Sequence, residues 1–182
     1  NNIQKITTPY MRFYELEALS AMGEQAFVLK EMKAYWGGML NLGATSFWEE
    51  YNPAKNGTEH LAMYGRKFGK SLCHAWGASP IYLLGKYYLG VSPTKAGYET
   101  YTIQPQLGGL QWMQGKVPTP NGDIELYMSE SEIKITGACG TGVLKFKSKN
   151  KPVCKEGAIM DKGNGNYELV VEKGKGYIVN YN

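Results

Sequence analysis

The sequence is poor in the residues that staple or metallate small folds. Its three cysteines, Cys73, Cys139 and Cys154, are odd in number and widely spaced, which excludes a disulfide framework. Cys139 and Cys154 could pair in an oxidising compartment; otherwise all three stand as buried free thiols. No Cys/His spacing resembles a zinc site, so neither a metal nor any other cofactor is expected. No apolar run approaches the ~20 residues of a membrane span. The net charge is only +4 and the lysines are scattered, so neither a membrane nor a nucleic acid is an expected partner. There is no internal repeat, no low-complexity tract, no phosphate-cradling glycine loop and no Ser/His/Asp order. The opening Asn1-Asn2-Ile3-Gln4-Lys5 carries neither an initiator Met nor a signal peptide, and reads as the start of a processed or excised product.

Aromatic residues are what the chain has in quantity, with 14 Tyr and 4 Trp. An aromatic-rich core is one reading. A carbohydrate site is the other, because flat apolar sugar faces stack on such rings where hydrogen-bonding groups lie nearby. Two patches favour the second. Gly43-Ala44-Thr45-Ser46-Phe47-Trp48-Glu49-Glu50-Tyr51-Asn52-Pro53 sets paired carboxylates beside three aromatics. His74-Ala75-Trp76-Gly77-Ala78-Ser79-Pro80 follows it. Together they read as one wall of a sugar pocket.

The chain changes character once. Thr8-Pro9 is a helix start, with Thr8 as cap and Pro9 at the first helical position. Apolar residues then recur at Tyr10, Phe13, Tyr14, Leu16, Leu19 and Met22, and Gly23 stops the helix. A second helix runs from Glu24 to about Trp36, with Phe27, Val28, Met32, Tyr35 and Trp36 on one side. Gly37-Gly38 ends or frays it, and the short link at Gly23 makes the two helices an antiparallel hairpin. Residues 43–70 read as a long loop with short helical pieces. A third helical stretch is expected from about Ser71 to Leu89. Within it Pro80 either begins a fresh helix capped by Ser79 or kinks a longer one. Beyond Gly90 the period becomes that of strands: Tyr98–Ile103, Asp123–Met128, Glu132–Thr136, Val143–Phe146, Tyr167–Val171 and Tyr177–Tyr181. Pro120-Asn121-Gly122-Asp123 and Gly163-Asn164-Gly165-Asn166 are turns. Helices first and strands after argue for an α+β chain of two domains joined near residue 91, the second a β-sandwich or partial barrel.

Glycoside hydrolysis needs two carboxyl groups, one to protonate the leaving oxygen and one to activate water or attack the sugar. Glu49 and Glu50 are not that pair, because adjacent side chains on a strand or helix diverge. One can face the pocket while the other faces solvent or a basic neighbour such as Arg66. By spacing alone, a solvated acidic loop is the favoured reading. His74 could hydrogen-bond a sugar hydroxyl while Trp76 stacks, or serve only the packing. Tyr51, Tyr64 and Trp36 could add stacking surface or core; His60 beside Glu59 is weaker.

In order and spacing, Gly43 to Glu50, Ser71-Leu72-Cys73-His74-Ala75-Trp76-Gly77-Ala78-Ser79-Pro80, Leu89-Gly90-Val91 and Gly115-Lys116-Val117-Pro118-Thr119-Pro120-Asn121-Gly122 resemble the C-terminal part of the bacterial α-L-rhamnosidases of glycoside hydrolase family 78. The resemblance spans about residues 8–128. It implies the last helices of an (α/α)6 toroid over 1–90, then an antiparallel β-sandwich over 91–182. It implies removal of terminal α-linked L-rhamnose with inversion, from a rhamnose-containing oligosaccharide or glycoside. The family's general base is the Glu after Trp in Ala-Thr-Thr-x-Trp-Glu. That carries to Glu49, with Ser46 in place of the second Thr. The family's sugar-contacting His carries to His74, with Cys73 in place of a Ser. Trp48, Trp76 and Tyr51 are the accompanying pocket aromatics. The general acid lies upstream in that family. This chain is therefore expected to hold the base without the acid, to be inactive alone, to need the N-terminal part of the same polypeptide, and to self-associate through uncovered helix faces. Two rival readings are a different hydrolase or phosphorylase of the toroid class and a non-catalytic carbohydrate-binding module.

Overall fold

Proline at the first helical position fixes where the first helix begins. In the computed structural model, which describes residues 6 and 8–181, helix α1 spans Pro9–Ala21. The segment 1–5 lies outside the described residues. Thr8 takes the N-cap position with extended backbone, but its hydroxyl makes no capping bond; Pro9 alone sets the start. Gly23, at φ 93°, turns the chain. Helix α2 spans Gln25–Asn41. Arg12 of α1 pairs with Glu31 at 2.9 Å and lies over the Tyr35 ring, both on α2. Gln25 closes the link by donating to the Ser20 carbonyl.

Helix α2 does not end at Gly37-Gly38. Glycine costs a helix only ~0.5–1 kcal/mol relative to alanine, and here one of the two is needed. A Cβ on Gly38 would sit 2.4 Å from the Tyr51 ring, whereas one on Gly37 would meet nothing. The helix thus carries a notch into which Tyr51 packs. Val28, Met32, Tyr35, Trp36 and Met39 form its buried side. Phe27, expected among them, is 46% exposed.

Residues 43–70 are loop with one 3-10 turn at Gly57–Leu61, closed by a reciprocal Asn56/Glu59 capping box. The helix expected from Ser71 begins later. The Ser71 and His74 N–H groups bond the 47–49 segment, and an amide bonded elsewhere cannot join a helix ladder. A 3-10 turn follows at Ala75–Gly77, and helix α3, Ser79–Leu83, starts afresh with Pro80 in its first turn.

The chain divides into two compact units, one ending at Leu83 and the other beginning at Leu84. The second opens with a π-helical turn, Leu84–Tyr88, closed by Leu89 N–H on the Leu84 carbonyl. Ten strands follow: β1 Val91–Pro93, β2 Thr100–Ile103, β3 Trp112–Thr119, β4 Gly122–Ser129, β5 Glu132–Thr136, β6 Thr141–Lys147, β7 Val153–Cys154, β8 Ile159–Gly163, β9 Asn166–Glu172 and β10 Gly176–Asn180. They form two five-stranded sheets, β1-β2-β6-β9-β8 and β3-β4-β5-β10-β7. All pairings are antiparallel except β2 with β6. Burial alternates along the strands. Tyr101, Ile103, Leu144, Phe146, Leu169 and Val171 of one sheet, and Ile124, Leu126, Ile133, Ile135, Tyr177 and Val179 of the other, form the core of a sandwich-like unit.

The six expected strands are present within about two residues. Strand β3 is not among them; it contains Gly115 and Pro118. It lies at a sheet edge, where proline's missing N–H can face away from the ladder. The three cysteines are free, and Cys73 is exposed rather than buried.

Candidate functional site

The two patches picked out in the sequence are laced together. After α2, Gly43 at φ 86° redirects the chain, and residues 46–49 run beside 71–74. Glu49 N–H donates to the Ser71 carbonyl at 3.0 Å, and His74 N–H to that of Phe47 at 2.8 Å. The Ser46 hydroxyl donates to the Leu72 carbonyl. Indole N–H groups add two clasps: Trp76 donates to the Glu49 carbonyl at 3.1 Å, and Trp36 to that of Gly77 at 2.8 Å. Gly77 permits the approach, since a Cβ there would lie 2.8 Å from the Trp48 carbonyl oxygen.

This lacing settles the direction of the two carboxylates. Glu49, 3% exposed, accepts from Ser71 N–H at 3.0 Å through Oε2 and from the Tyr64 hydroxyl through Oε1. His74 Nδ1 stands 3.9 Å from Oε2, just beyond hydrogen-bond length. Glu50 turns the other way, to Lys55 at 3.0 Å and to the buried Lys70 at 3.4 Å. Its basic neighbours are these lysines and not Arg66. Burial pulls the Lys70 ammonium's pKa down, with the Glu50 charge working against it.

The Tyr64 hydroxyl, followed by the Ser71 N–H, holds the Glu49 carboxyl below the usual carboxylate range. Burial opposes this, while His74 and Lys70 assist it. Glu49 is therefore an ionised carboxylate at neutral pH, just beneath the surface. Tyr64 is presented by a tight turn. Met63 and Arg66 exchange both backbone hydrogen bonds, and Tyr64 and Gly65 sit at φ 54° and 72°. Positive φ is uncommon for a tyrosine, and such outliers cluster at functional positions. Tyr64 is nonetheless 69% exposed, so its ring lies open above the carboxylate.

An aromatic surface continues from there. The His74 and Trp76 rings lie 4.3 Å apart, and Trp76 is 38% exposed. Tyr10 of α1 packs at 5.6 Å from Trp76, and Tyr14 at 5.4 Å from Tyr10, both half open. Glu49, His74 and Trp76 are thus brought together. Trp48 is buried. Tyr51 lies apart, its ring against the Gly38 notch and stacked on His60 at 5.8 Å. Tyr10 and Tyr14 read in sequence as the apolar stripe of a helix, and nothing local marked them as open rings. No group of three His, Cys, Asp or Glu side chains able to hold a metal occurs among the described residues.

The arrangement can do two things chemically. A fixed, ionised carboxylate can take a proton from water. A wall of partly open rings with a histidine can hold a flat, hydroxylated ligand.

Residues 90–134 match the bacterial alpha-L-rhamnosidase C-terminal domain. An alpha-L-rhamnosidase of Alteromonas sp. (strain LOR) is 33% identical over 103 residues, 54% of this chain and 10% of that protein. The GH78 family rhamnosidase of Bacillus sp. GL1 is 34% identical, with a TM-score of 0.54 over 72% of this chain and 13% of its own. The alpha-L-rhamnosidase of Dictyoglumus thermophilum shares the fold over 93% of this chain, with a TM-score of 0.70 at 21% identity and 20% of its own length covered. The chain thus spans a fifth or less of each of these relatives. Matched domain, sequence identity and fold together relate this chain to the C-terminal part of the bacterial α-L-rhamnosidases.

Proposed function

We propose that this chain is the C-terminal part of a longer glycoside hydrolase that removes terminal α-linked L-rhamnose with inversion, and that Glu49 is its general base. The observation that carries the reading is the Glu49 carboxylate. It is oriented by Ser71 N–H, kept ionised by Tyr64, and set beside the His74–Trp76 pair. An inverting base must hold a water in line with the sugar, which needs a fixed carboxylate near an open face. Trp76 supplies stacking surface and His74 a hydrogen-bonding group for a sugar hydroxyl. Trp48 is a buried member of the same segment, and Tyr51 acts by bracing the loop to α2. In this reading α1, α2 and α3 are the last helices of an (α/α)6 toroid spanning 1–90, and 91–182 is the accessory β-sandwich.

The same geometry limits the chain. Inversion needs a second carboxyl as acid, roughly 6.5–9.5 Å from the first. Glu50 is engaged by Lys55 and Lys70 on the far side, and Glu59 caps the 57–61 turn. With the general acid expected upstream by the family resemblance, we infer that these 182 residues alone hold the base without the acid and do not turn over substrate. The half-open Tyr10, Met11, Tyr14, Phe27 and Leu40 side chains of α1 and α2 favour association, either with the rest of a toroid or with a second copy.

The test uses an aryl α-L-rhamnoside with the complete enzyme and with these 182 residues in parallel. The complete enzyme is expected to release rhamnose first seen by NMR as the inverted anomer, and the 182 residues to release none above background. Retention, or enzyme-like release by the short chain, defeats the proposal.

A further inference from the structure

The outward face of the second sheet is not built like a plain solvated surface. Pairing register sets Gln114, Tyr127, Lys134 and Ile178 opposite one another, in a straight row across β3, β4, β5 and β10. The row two residues along runs Lys116, Glu125, Thr136 and Gly176. Side chains two apart on a strand share a face, so both rows point outward, as does Trp112 on β3.

Trp112 is 58% exposed, which leaves most of a large apolar ring in water. Its plane lies within 22° of the Tyr127 ring, with centroids 6.5 Å apart. The Lys134 ammonium, 5.3 Å from the Tyr127 centroid, steadies that ring. The Tyr127 ring borders a groove of about 580 Å³ also lined by Gln114, Glu125, Lys134 and Glu156, among others, with Trp112 two residues from Gln114 on the same face of β3. Gly176 has no side chain, so the end of its row stays open. The volume is that of a ligand site, where such sites typically run ~300–1,000 Å³.

The charges of the groove choose among ligands. Lys116 pairs with Glu125, and Lys134 with Glu132. Glu156 lies across from them, its carboxylate accepting from the Ile178 N–H. The lysines are thus matched by carboxylates, and nothing in the lining favours an anionic polymer. An open Trp112 ring nearly parallel to the half-buried Tyr127, beside neutralised, hydrogen-bonding side chains, suits a ligand with apolar faces and a hydroxylated rim. We propose that this face binds a neutral saccharide. Trp112 and Tyr127 stack on its sugar rings, and Gln114, Glu125, Lys134 and Glu156 bond its hydroxyls. This site is independent of the one around Glu49 and needs no turnover.

The experiment is an NMR titration of the 182-residue chain with cellohexaose, xylohexaose, mannohexaose and a rhamnose-bearing disaccharide. Amide and indole N–H shifts are followed. At least one sugar is expected to give saturable shifts at Trp112, Tyr127 and their strand neighbours, unchanged by added salt because the ligand carries no charge. Trp112→Ala is expected to weaken binding ~10-fold or more, as loss of a central aromatic anchor does. Gln114→Ala, which leaves the rings in place, weakens it less but measurably and guards against a Trp112 variant that misfolds. Lys162→Ala, on the other sheet, leaves it unchanged. No shift at these residues with any of the four sugars overturns the proposal, as does binding that Trp112→Ala and Gln114→Ala leave intact. Shifts confined to the surroundings of Glu49 do the same, while leaving the catalytic reading untouched. Steep loss of binding with salt refutes the neutral ligand.

Discussion

Replacing Glu49 with glutamine separates what this side chain does for the fold from what it is proposed to do for the reaction. Glutamine has the same shape and keeps one acceptor oxygen for Ser71 N–H. A hydrogen bond to a charged acceptor is worth ~1.5–3 kcal/mol, and one to a neutral acceptor ~0.5–1.5. The change at the Ser71 bond is therefore about 1 kcal/mol, or a midpoint shift of roughly 4–8 °C for a unit of this size. Catalysis responds on another scale. A general base contributes ~10²–10⁴ in rate, equivalent to about 2.7–5.4 kcal/mol of barrier at 1.36 kcal/mol per tenfold. Glu49→Gln in the complete enzyme should thus lose at least a hundredfold in kcat while remaining folded. The stability difference also depends on pH in a fixed direction. The folded-state pKa of Glu49 lies below its unfolded value, because the Tyr64 hydroxyl and the Ser71 N–H favour the ionised form. Its contribution is then fully present above the ordinary carboxylate range and is lost as pH falls through the lowered folded value. Urea midpoints of the two proteins should differ at neutral pH and converge in acid. A kcat near normal, or a gap in stability that ignores pH, would sink the reasoning.

Two neighbouring glycines give a sharper packing test. Gly37→Ala meets nothing within 4 Å, so it should stabilise α2 by roughly 0.5–1 kcal/mol. Gly38→Ala drives a Cβ into the Tyr51 ring and should cost about 1–3 kcal/mol; urea melts showing the same sign for both would refute the notch. Tyr64→Phe removes the largest influence holding the Glu49 carboxyl low, so that pKa should rise. The acid limb of kcat/KM in the complete enzyme, set by protonation of the base, should move to higher pH. An unmoved limb would mean that Tyr64 does not govern this carboxylate.

What was legible in the sequence is what short-range chemistry controls. Alternation marked strands over 132–136, 143–146 and 167–171, and in the structure Ile133, Ile135, Leu144 and Leu169 are among their inward residues, because a pleated strand offers only two faces. Adjacent carboxylates must diverge, so one of Glu49 and Glu50 had to turn away. The spacing could not say which, and the resemblance to the rhamnosidases pointed to Glu49. The sequence also set Pro80 as either a start or a kink, and Gly23 as a turn.

Tertiary structure decided the rest, through partners far away in the chain. Ser71 to His74 read as helix, yet the Ser71 and His74 amides bond Glu49 and Phe47, more than twenty positions earlier. Gly37-Gly38 read as a helix end, yet the Tyr51 ring needs the gap at Gly38. No strand was expected over 112–119, yet one forms there at a sheet edge, where Pro118 is tolerated. Tyr64 bears on Glu49 only because a Met63–Arg66 turn holds it at positive φ, and Tyr10 adjoins Trp76 only because α1 packs there. A local pattern states which conformations a segment can take cheaply. Whether it takes one depends on the hydrogen bonds and contacts that distant residues offer, and at this site those offers came from segments the pattern could not bring together.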